Sequence, residues 1–333
     1  MTAQDLRLPS PQRSGDVVAD IAADVVAATR RGTAFYARAR FSAPWGVRFP
    51  PGAQASVHVI TAGACWLIPD DGEPVQLTRD DVVLIPAGLG HCLADSPGRP
   101  VTLMEEMAGG PLGETGAREL AIEGDGPVTG LLCGGYLLES GLLHPLTAML
   151  PPIVHIDAVQ ARGTGLPAAI DLLSAESQRS DPGAPAVVAS LIDLLFVYLL
   201  RAWLAGHSRA DGGWAAALYD PAVGGALALI HAGPARPWTV PLLARAVGVP
   251  RATFTRRFTT LTGQSPMAYV TSWRMTVAAR ILREERGTLR EVASRVGYDS
   301  EFAFARAFKR TTGYAPGRYR IVAATAPQPG ARA

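Results

Sequence analysis

The stretch Leu289–Tyr319, LREVASRVGYDSEFAFARAFKRTTGYAPGRY, predicts a helix, a glycine turn and a second helix. A similar unit, VPLLARAVGVPRATFTRRFTTLTGQSPMAY, occupies Val240–Tyr269. Each first helix is short and alanine-rich, with Ala244, Ala246 and Ala293 as small residues that let a second helix cross closely. Gly248 or Gly297 follows, where a turn needs positive φ without a Cβ clash. Each second helix carries phenylalanines four apart, Phe254 with Phe258 and Phe304 with Phe308, and ends in Thr-Gly-x-x-Pro. Residues at i and i+4 share a face, so the rings bury and the opposite face stays free. Two such units in tandem suit the major groove of double-stranded DNA.

The free faces offer Arg251, Ala252, Thr255, Arg256 and Thr259 in the first unit, and Ser300, Glu301, Ala305, Arg306 and Lys309 in the second. Arginine can bond both acceptors of a guanine edge, while Thr or Ala can meet a thymine methyl; a solvated or phosphate-contacting role stays open for any one of these arginines. Charge is distributed accordingly. Tyr219–Arg320 holds 16 Arg plus Lys against 6 Asp plus Glu, a balance of +10, and the rest of the chain balances at −8. A basic third on an acidic body is what a DNA-binding module joined to something else shows.

Trp273-Arg274-Met275, Ala278-Ala279-Arg280-Ile281-Leu282, Glu291-Val292-Ala293-x-x-Val296-Gly297-Tyr298-x-Ser300-Glu301-x-x-Phe304-x-Arg306-x-Phe308-Lys309-Arg310 and Pro316-x-x-Tyr319-Arg320 resemble the C-terminal signature of AraC/XylS-type transcriptional regulators. The resemblance implies two helix-turn-helix subdomains joined by a long helix near Pro266–Glu284. It places base-reading positions at Ala252, Thr255 and Arg256, and at Glu301, Phe302, Ala305 and Arg306. Ala252 and Phe302 depart from the longer polar residues some members carry there.

The 333 residues suffice for two domains with real cores. The longest hydrophobic stretch, Val187–Leu204, contains Asp193 and Arg201, so no transmembrane run and no membrane partner is expected. The polar N-terminus lacks a signal-peptide segment. Cys65, Cys92 and Cys133, odd in number and widely spaced, form no disulfide framework, which points to a reduced, cytoplasmic compartment.

Asp16–Arg30 predicts an amphipathic helix. From Thr33 to Thr102, short apolar runs separated by Gly, Pro and Asp turns predict a β-sandwich or small barrel, with strands including 55–61, 64–68, 75–77, 82–85 and 101–105, completed by 131–138. Arg79–His91, RDDVVLIPAGLGH, resembles the second cupin motif, with Asp80 in place of the usual Gly. Ser56-Val57-His58-Val59-Ile60 is similar to the first cupin motif but keeps only His58 of its two His and a Glu. Together with Trp45-Gly46-x-Arg48-Phe49, Cys133-Gly134-Gly135-Tyr136 and Leu150-Pro151-Pro152, these pieces look like the cupin-like sensor domain of a subset of AraC-type regulators.

The expected protein is therefore α+β with two domains. Residues 1–205 form a cupin-like β-barrel or sandwich with helices at 165–178 and 186–205, and 206–216 form a linker. Residues 217–321 form an all-α domain with helix-turn-helix units at 238–262 and 288–312, and 322–333 form a disordered tail. Helix 186–205 is apolar on several sides, which fits either a helix sandwiched in the monomer core or a dimerisation helix. His58, His91 and Cys133 are a credible ligand set for zinc or another divalent metal; an ordinary packed role is the alternative for each. Cys92 beside His91 is a redox candidate, because a neighbouring imidazolium lowers a thiol pKa. His144, His155 and His231 stand alone and suit structural roles. The leading reading is a sequence-specific transcription regulator whose cupin-like domain senses a small effector, metal or redox signal. Its partners would be promoter DNA, a small-molecule effector, RNA polymerase and a second copy of the chain. The competing reading is a metal-dependent cupin enzyme with an accessory DNA-binding domain.

Overall fold

The computed structural model describes residues 21, 23–25, 30–52, 54–86, 88–110, 118–138, 150–179, 181–206 and 213–325. These divide into two compact units, one from Arg30 to Trp203 and one from Leu204 onward, to which Ile21 and residues 23–25 also belong. Most of the expected helix at 16–30, the linker core at 207–212, His144 and residues 326–333 lie outside the described residues.

The alternating apolar runs of the first unit form two sheets. One has the order β11(Val154–Ile156)-β6(Val82–Ile85)-β3(Gln54–Ala62)-β10(Val128–Leu138)-β1(Arg30–Ser42)-β9(Arg118–Ile122). The other has the order β5(Val75–Thr78)-β4(Ala64–Pro69)-β7(His91–Ala94)-β2(Gly46–Phe49)-β8(Thr102–Leu103). Inward residues of both, among them Phe41, Ile60, Ile85, Leu131 and Cys133 from the first and Val47, Phe49, Leu67, Leu77 and Leu93 from the second, share one core. Side chains alternate across a strand, so Leu132, Gly134 and Tyr136 on β10 face away from that core. The Tyr136 ring meets Phe196 at 4.6 Å and its hydroxyl donates to Asp193. The larger sheet is thus buried on both faces, which is why all four residues of β6 are buried.

Phe196 and Asp193 belong to α3 (Ala184–Gly206), which follows α1 (Met104–Ala108) and α2 (Leu166–Glu176). By length and composition α3 is apolar enough to cross a membrane, contrary to the expectation from Asp193 and Arg201. Its Val188, Ile192, Leu195, Leu199 and Leu204 are nevertheless buried within the protein. Strand 101–105 is corrected: only Thr102–Leu103 is extended, and Met-Glu-Glu-Met-Ala, rich in helix formers, turns into α1. Strands β9 and β11 go beyond the sequence reading; both are short and lie at opposite edges of their sheet.

In the second unit, α4 (Gly213–Tyr219) and α5 (Pro221–Ala232) precede the tandem repeat. Residues 213–216, expected in the linker, form the start of α4 because Trp214 and the three alanines after it bury. The repeat comprises α6 (Val240–Ala246) with α7 (Arg251–Thr262), α8 (Pro266–Glu284), then α9 (Leu289–Arg295) with α10 (Glu301–Thr312) and α11 (Pro316–Thr325). Residues 322–325, expected in the tail, continue α11. The Thr-Gly-x-x-Pro ending is a stop-and-restart signal. Thr262 and Thr312 bond back to Phe258 O and Phe308 O at 2.8 and 2.9 Å, and Gly263 and Gly313 cap in the left-handed region. Pro266 and Pro316 then open the next helix.

Arg274 on α8 ties the two repeats together. Its Nε donates to Pro234 O at 2.8 Å, its Nη2 to Arg236 O at 2.7 Å, and its guanidinium lies 5.6 Å from the Tyr298 ring centre. Gly297, at φ +80°, leaves the space: a Cβ there would sit 2.7 Å from both Ala235 O and Arg274 Nη2.

Among the described residues Asp80 is the non-glycine residue with positive φ, +71°, at the turn where the cupin pattern has Gly. Its neighbour Asp81 accepts from Thr78 N–H at 2.9 Å and Ala158 N–H at 3.2 Å, so the turn is held in place. Relief of left-handed strain outweighs the added chain entropy of glycine, and Asp80→Gly is expected to stabilise the first unit by about 0.5 kcal/mol. A thermal melt in which the variant unfolds no later than wild type would contradict this.

Candidate nucleic-acid interface and sensor core

The two recognition helices present their free faces as the spacing requires. Phe254, Phe258, Phe304 and Phe308 are fully buried, while Arg251, Ala252, Arg256, Glu301, Arg306 and Lys309 are exposed, and Thr255 and Ala305 are half-buried. Thr255 donates its hydroxyl to Arg251 O at 3.0 Å, which leaves its methyl and the acceptor side of its oxygen to offer a base. Ser300 is the N-cap of α10, its hydroxyl accepting from Ala303 N–H at 3.3 Å; its side chain serves the helix end.

Neighbouring arginines on α7 divide their duties. Arg256 is exposed on the outer face, whereas Arg257 pairs with Asp220 at 2.6 Å. Asp220 is the N-cap of α5 and also accepts from Ala222 and Val223 N–H at 2.9 and 3.0 Å. Arg257 therefore fixes the first recognition helix to the helix behind it. Sequence alone does not separate the two, since both are arginines on a basic helix.

His231 has a structural setting too. It stacks on Trp273 at 3.9 Å, lies 2.7 Å from Tyr269 Oη through Nε2, and meets Asp24 Oδ2 at 3.2 Å through Nδ1. Burial pushes its pKa down, with Asp24 opposing. His155 sits 3.3 Å from Asp81.

In the first unit, His58, His91 and Cys133 do come together, as a buried hydrogen-bonded chain. His58 Nδ1 is 3.1 Å from Cys133 Sγ, His58 Nε2 is 2.9 Å from His91 Nε2, and His91 Nδ1 is 3.0 Å from Leu89 O. A carbonyl only accepts, so Nδ1 of His91 carries its proton and its Nε2 accepts from His58 Nε2–H. His58 Nδ1 then accepts from the Cys133 thiol. Every group is neutral in this assignment. Burial drives His91 down to about 4 and His58 well below its usual value, and it raises the Cys133 thiol. Phe49 stacks on His91 at 4.7 Å and meets His58 edge-on at 4.8 Å. The cavity beside them, bounded by Phe49, His58, Met104 and Cys133, is about 10 Å³, room for one water at most.

This geometry does not suit the three side chains as ligands of one ion. Cys133 and His91 occupy opposite nitrogens of His58, and those nitrogens point away from each other. Among the described residues no group of three or more His, Cys, Asp or Glu is arranged to hold a metal. Cys92 is also set differently from its sequence neighbourhood. On β7 it faces away from His91, and its sulfur lies 3.8 Å from Arg48 Nη1. Arg48 in turn grips Asp70, with Nη2–Oδ2 at 2.8 Å, and holds that carboxyl below the usual range. The cation beside Cys92 is thus a guanidinium. All three cysteines are free thiols, and burial pushes Cys65 up to about 12.

A β-sandwich with a cupin-type turn joined to paired helix-turn-helix units defines a DNA-binding regulator. The cupin family pattern matches residues 20–205, and the helix-turn-helix domain pattern matches 243–321. An AraC-like transcription regulator of Streptomyces lividans is 34% identical over 277 residues, covering 83% of this chain and 90% of the relative. The HTH-type transcriptional regulator AlkR of Acinetobacter baylyi is 29% identical, covering 79% and 86%. The solved DNA-binding domain of AdpA in complex with a target DNA is 32% identical, covering 31% of this chain and 92% of that one, with a TM-score of 0.29. The chain belongs to the AraC family of transcriptional regulators, and its relatives are regulators and not enzymes.

Arg306→Ala is expected to weaken specific DNA binding by about 1–3 kcal/mol, roughly fivefold to 150-fold in Kd, with an unchanged melting temperature. Arg257→Ala is expected to do the reverse first, lowering stability by about 1 kcal/mol through loss of a half-exposed ion pair. Titration of a promoter duplex and a melt of each variant separate the two roles; identical behaviour of the two variants would refute the division.

Proposed function

We propose that the chain regulates transcription as a homodimer, with the cupin-like unit receiving the signal at the Cys133–His58–His91 chain. The observation that carries this reading is a row of three hydrogen-bonded polar side chains buried among the apolar residues of the sandwich core. Burying polar groups costs free energy even when they satisfy one another, and an apolar core would be at least as stable. Here the three are linked end to end, so a change at one alters the hydrogen bonding of all. The small cavity beside them favours a signal that acts on these groups directly, such as a thiol oxidant or a small effector that opens the site. Cys92, half-exposed beside Arg48, is the more accessible thiol of the same unit. A metal would enter only by rearranging the chain. Any such signal changes DNA affinity only as far as it favours the DNA-competent state.

The test uses the full chain with a duplex enriched from a randomised DNA library, placed before a reporter and a polymerase. Wild type is expected to change its output on treatment with hydrogen peroxide or zinc. Cys133→Ser, which keeps a hydrogen-bonding group at the buried position, and Cys92→Ser are expected to keep untreated DNA binding within about twofold and to blunt the response. A response identical to wild type in both variants would sink the reading.

Dimerisation has its own support. Along α3, Val187 and Leu194 are exposed at 45% and 39%, and Leu191 between them and Tyr198 after them are half-buried. Positions 187, 191, 194 and 198 follow the four-three spacing of a two-helix seam. That stripe lies opposite the buried face of the helix, so one helix can serve both the core and a second copy. Leu194→Glu is expected to convert a dimer to monomers in sedimentation while leaving the fold intact; a dimer of unchanged affinity would remove α3 as the interface.

A further inference from the structure

The first turn of α10 carries a feature that the hydrogen-bonding face of the helix does not explain. Phe302 is 82% exposed, more than any other large hydrophobic side chain among the described residues. It has no role in the core: Phe304 and Phe308, on the opposite face, are fully buried and close the second repeat without it. Residues 301, 302, 305 and 306 lie on the outer face as two adjacent pairs one helical turn apart. Ala305, small, leaves room beside the ring, and Arg306, Lys309 and Arg310 make the surrounding surface basic. An exposed phenylalanine on a positively charged helix face complements a polyanion that also offers an apolar group. In the DNA major groove that group is the C5 methyl of thymine.

We infer that Phe302 makes the second helix-turn-helix unit a reader of C5-methylpyrimidine, thymine in ordinary DNA, at the base facing the first turn of α10. Glu301 beside it is an acceptor suited to a cytosine amino group, and Arg306 one turn on is suited to a guanine edge. The second unit therefore reads through contact with a methyl as well as through hydrogen bonds. The first unit has Ala252 at the matching position and reaches less far into the groove.

The inference rests on α10 entering the major groove, and the experiment tests that separately. Full-length protein is used to enrich duplexes from a randomised library, and each thymine of the enriched site is then replaced in turn by deoxyuridine. One or two positions are expected to lose about fourfold in affinity, the worth of one buried methyl at about 0.8 kcal/mol. Methylation of cytosine at C5 in a cytosine-substituted site is expected to restore binding. Phe302→Ala, whose exposed side chain leaves the melting temperature unchanged, is expected to bind thymine and uracil equally at those positions. Arg306→Ala is expected to bind more weakly overall yet keep the discrimination. If Phe302→Ala still prefers thymine, or wild type shows no such preference, the inference is wrong. Unchanged DNA binding with lost transcription would assign the ring to a protein partner and also overturn it. Unchanged binding in both Phe302→Ala and Arg306→Ala would show that α10 itself is not in the groove.

Discussion

The guanidinium of Arg274 sets the geometry on which DNA recognition depends. A single side chain on the connecting helix holds the loop before the first repeat through Pro234 O and Arg236 O, and lies over Tyr298 in the turn of the second. Two recognition helices can read neighbouring groove segments only if their separation and tilt are fixed, because a rotation of either moves its side chains off the base edges. A planar cation with several fixed donors suits this task better than a flexible ammonium. The absence of a side chain at Gly297 is the other half of the arrangement, since a Cβ would strike both the cation and the carbonyl of Ala235.

The all-α unit was largely legible because its signals are local. Phenylalanines four apart, a turn glycine and Thr-Gly-x-x-Pro each act within a few residues, and each became a buried pair, a left-handed turn or a paired stop and start. The sandwich was legible only in part. Its central strands carry alternation, but β9 and β11 are five and three residues long and owe their structure to the neighbours they pair with. The helix at Met104–Ala108 broke an apparent strand because five helix formers in a row outweighed two flanking β-prone residues. Arg257 and Arg274 were illegible for a different reason. Their partners, Asp220 and the 234–236 carbonyls, lie about forty residues away in sequence, and backbone carbonyls leave no trace in residue type.

The sensor core shows the same limit. His58, His91 and Cys133 lie in one interior, where cupin-type strands bring such positions together. Whether they converge on a point or link in a line depends on which nitrogen each imidazole presents. That is set by Leu89 O and by the stacked Phe49, neither of which carries a residue-type signature. Likewise, Cys92 and His91 are adjacent in sequence yet face opposite sides of β7, so adjacency in a strand is a guide to separation and not to contact.

The small contact between Asp24 and His231 has a consequence for how such proteins can be cut and recombined. Ile21 and Val25 are buried, and they belong with the helices after residue 204, while Arg30 already begins the first strand of the other unit. The chain at Ile21 and Val25 therefore packs with the helices, builds the sandwich from Arg30 on, and returns to the helical unit at Leu204. A gene fusion that joins the C-terminal third of this chain to a foreign sensor at the apparent breakpoint near residue 206 would leave behind a piece of the helical unit's own core. A transplanted helical unit keeps that part of its core only if Ile21 and Val25 travel with the residues after Leu204.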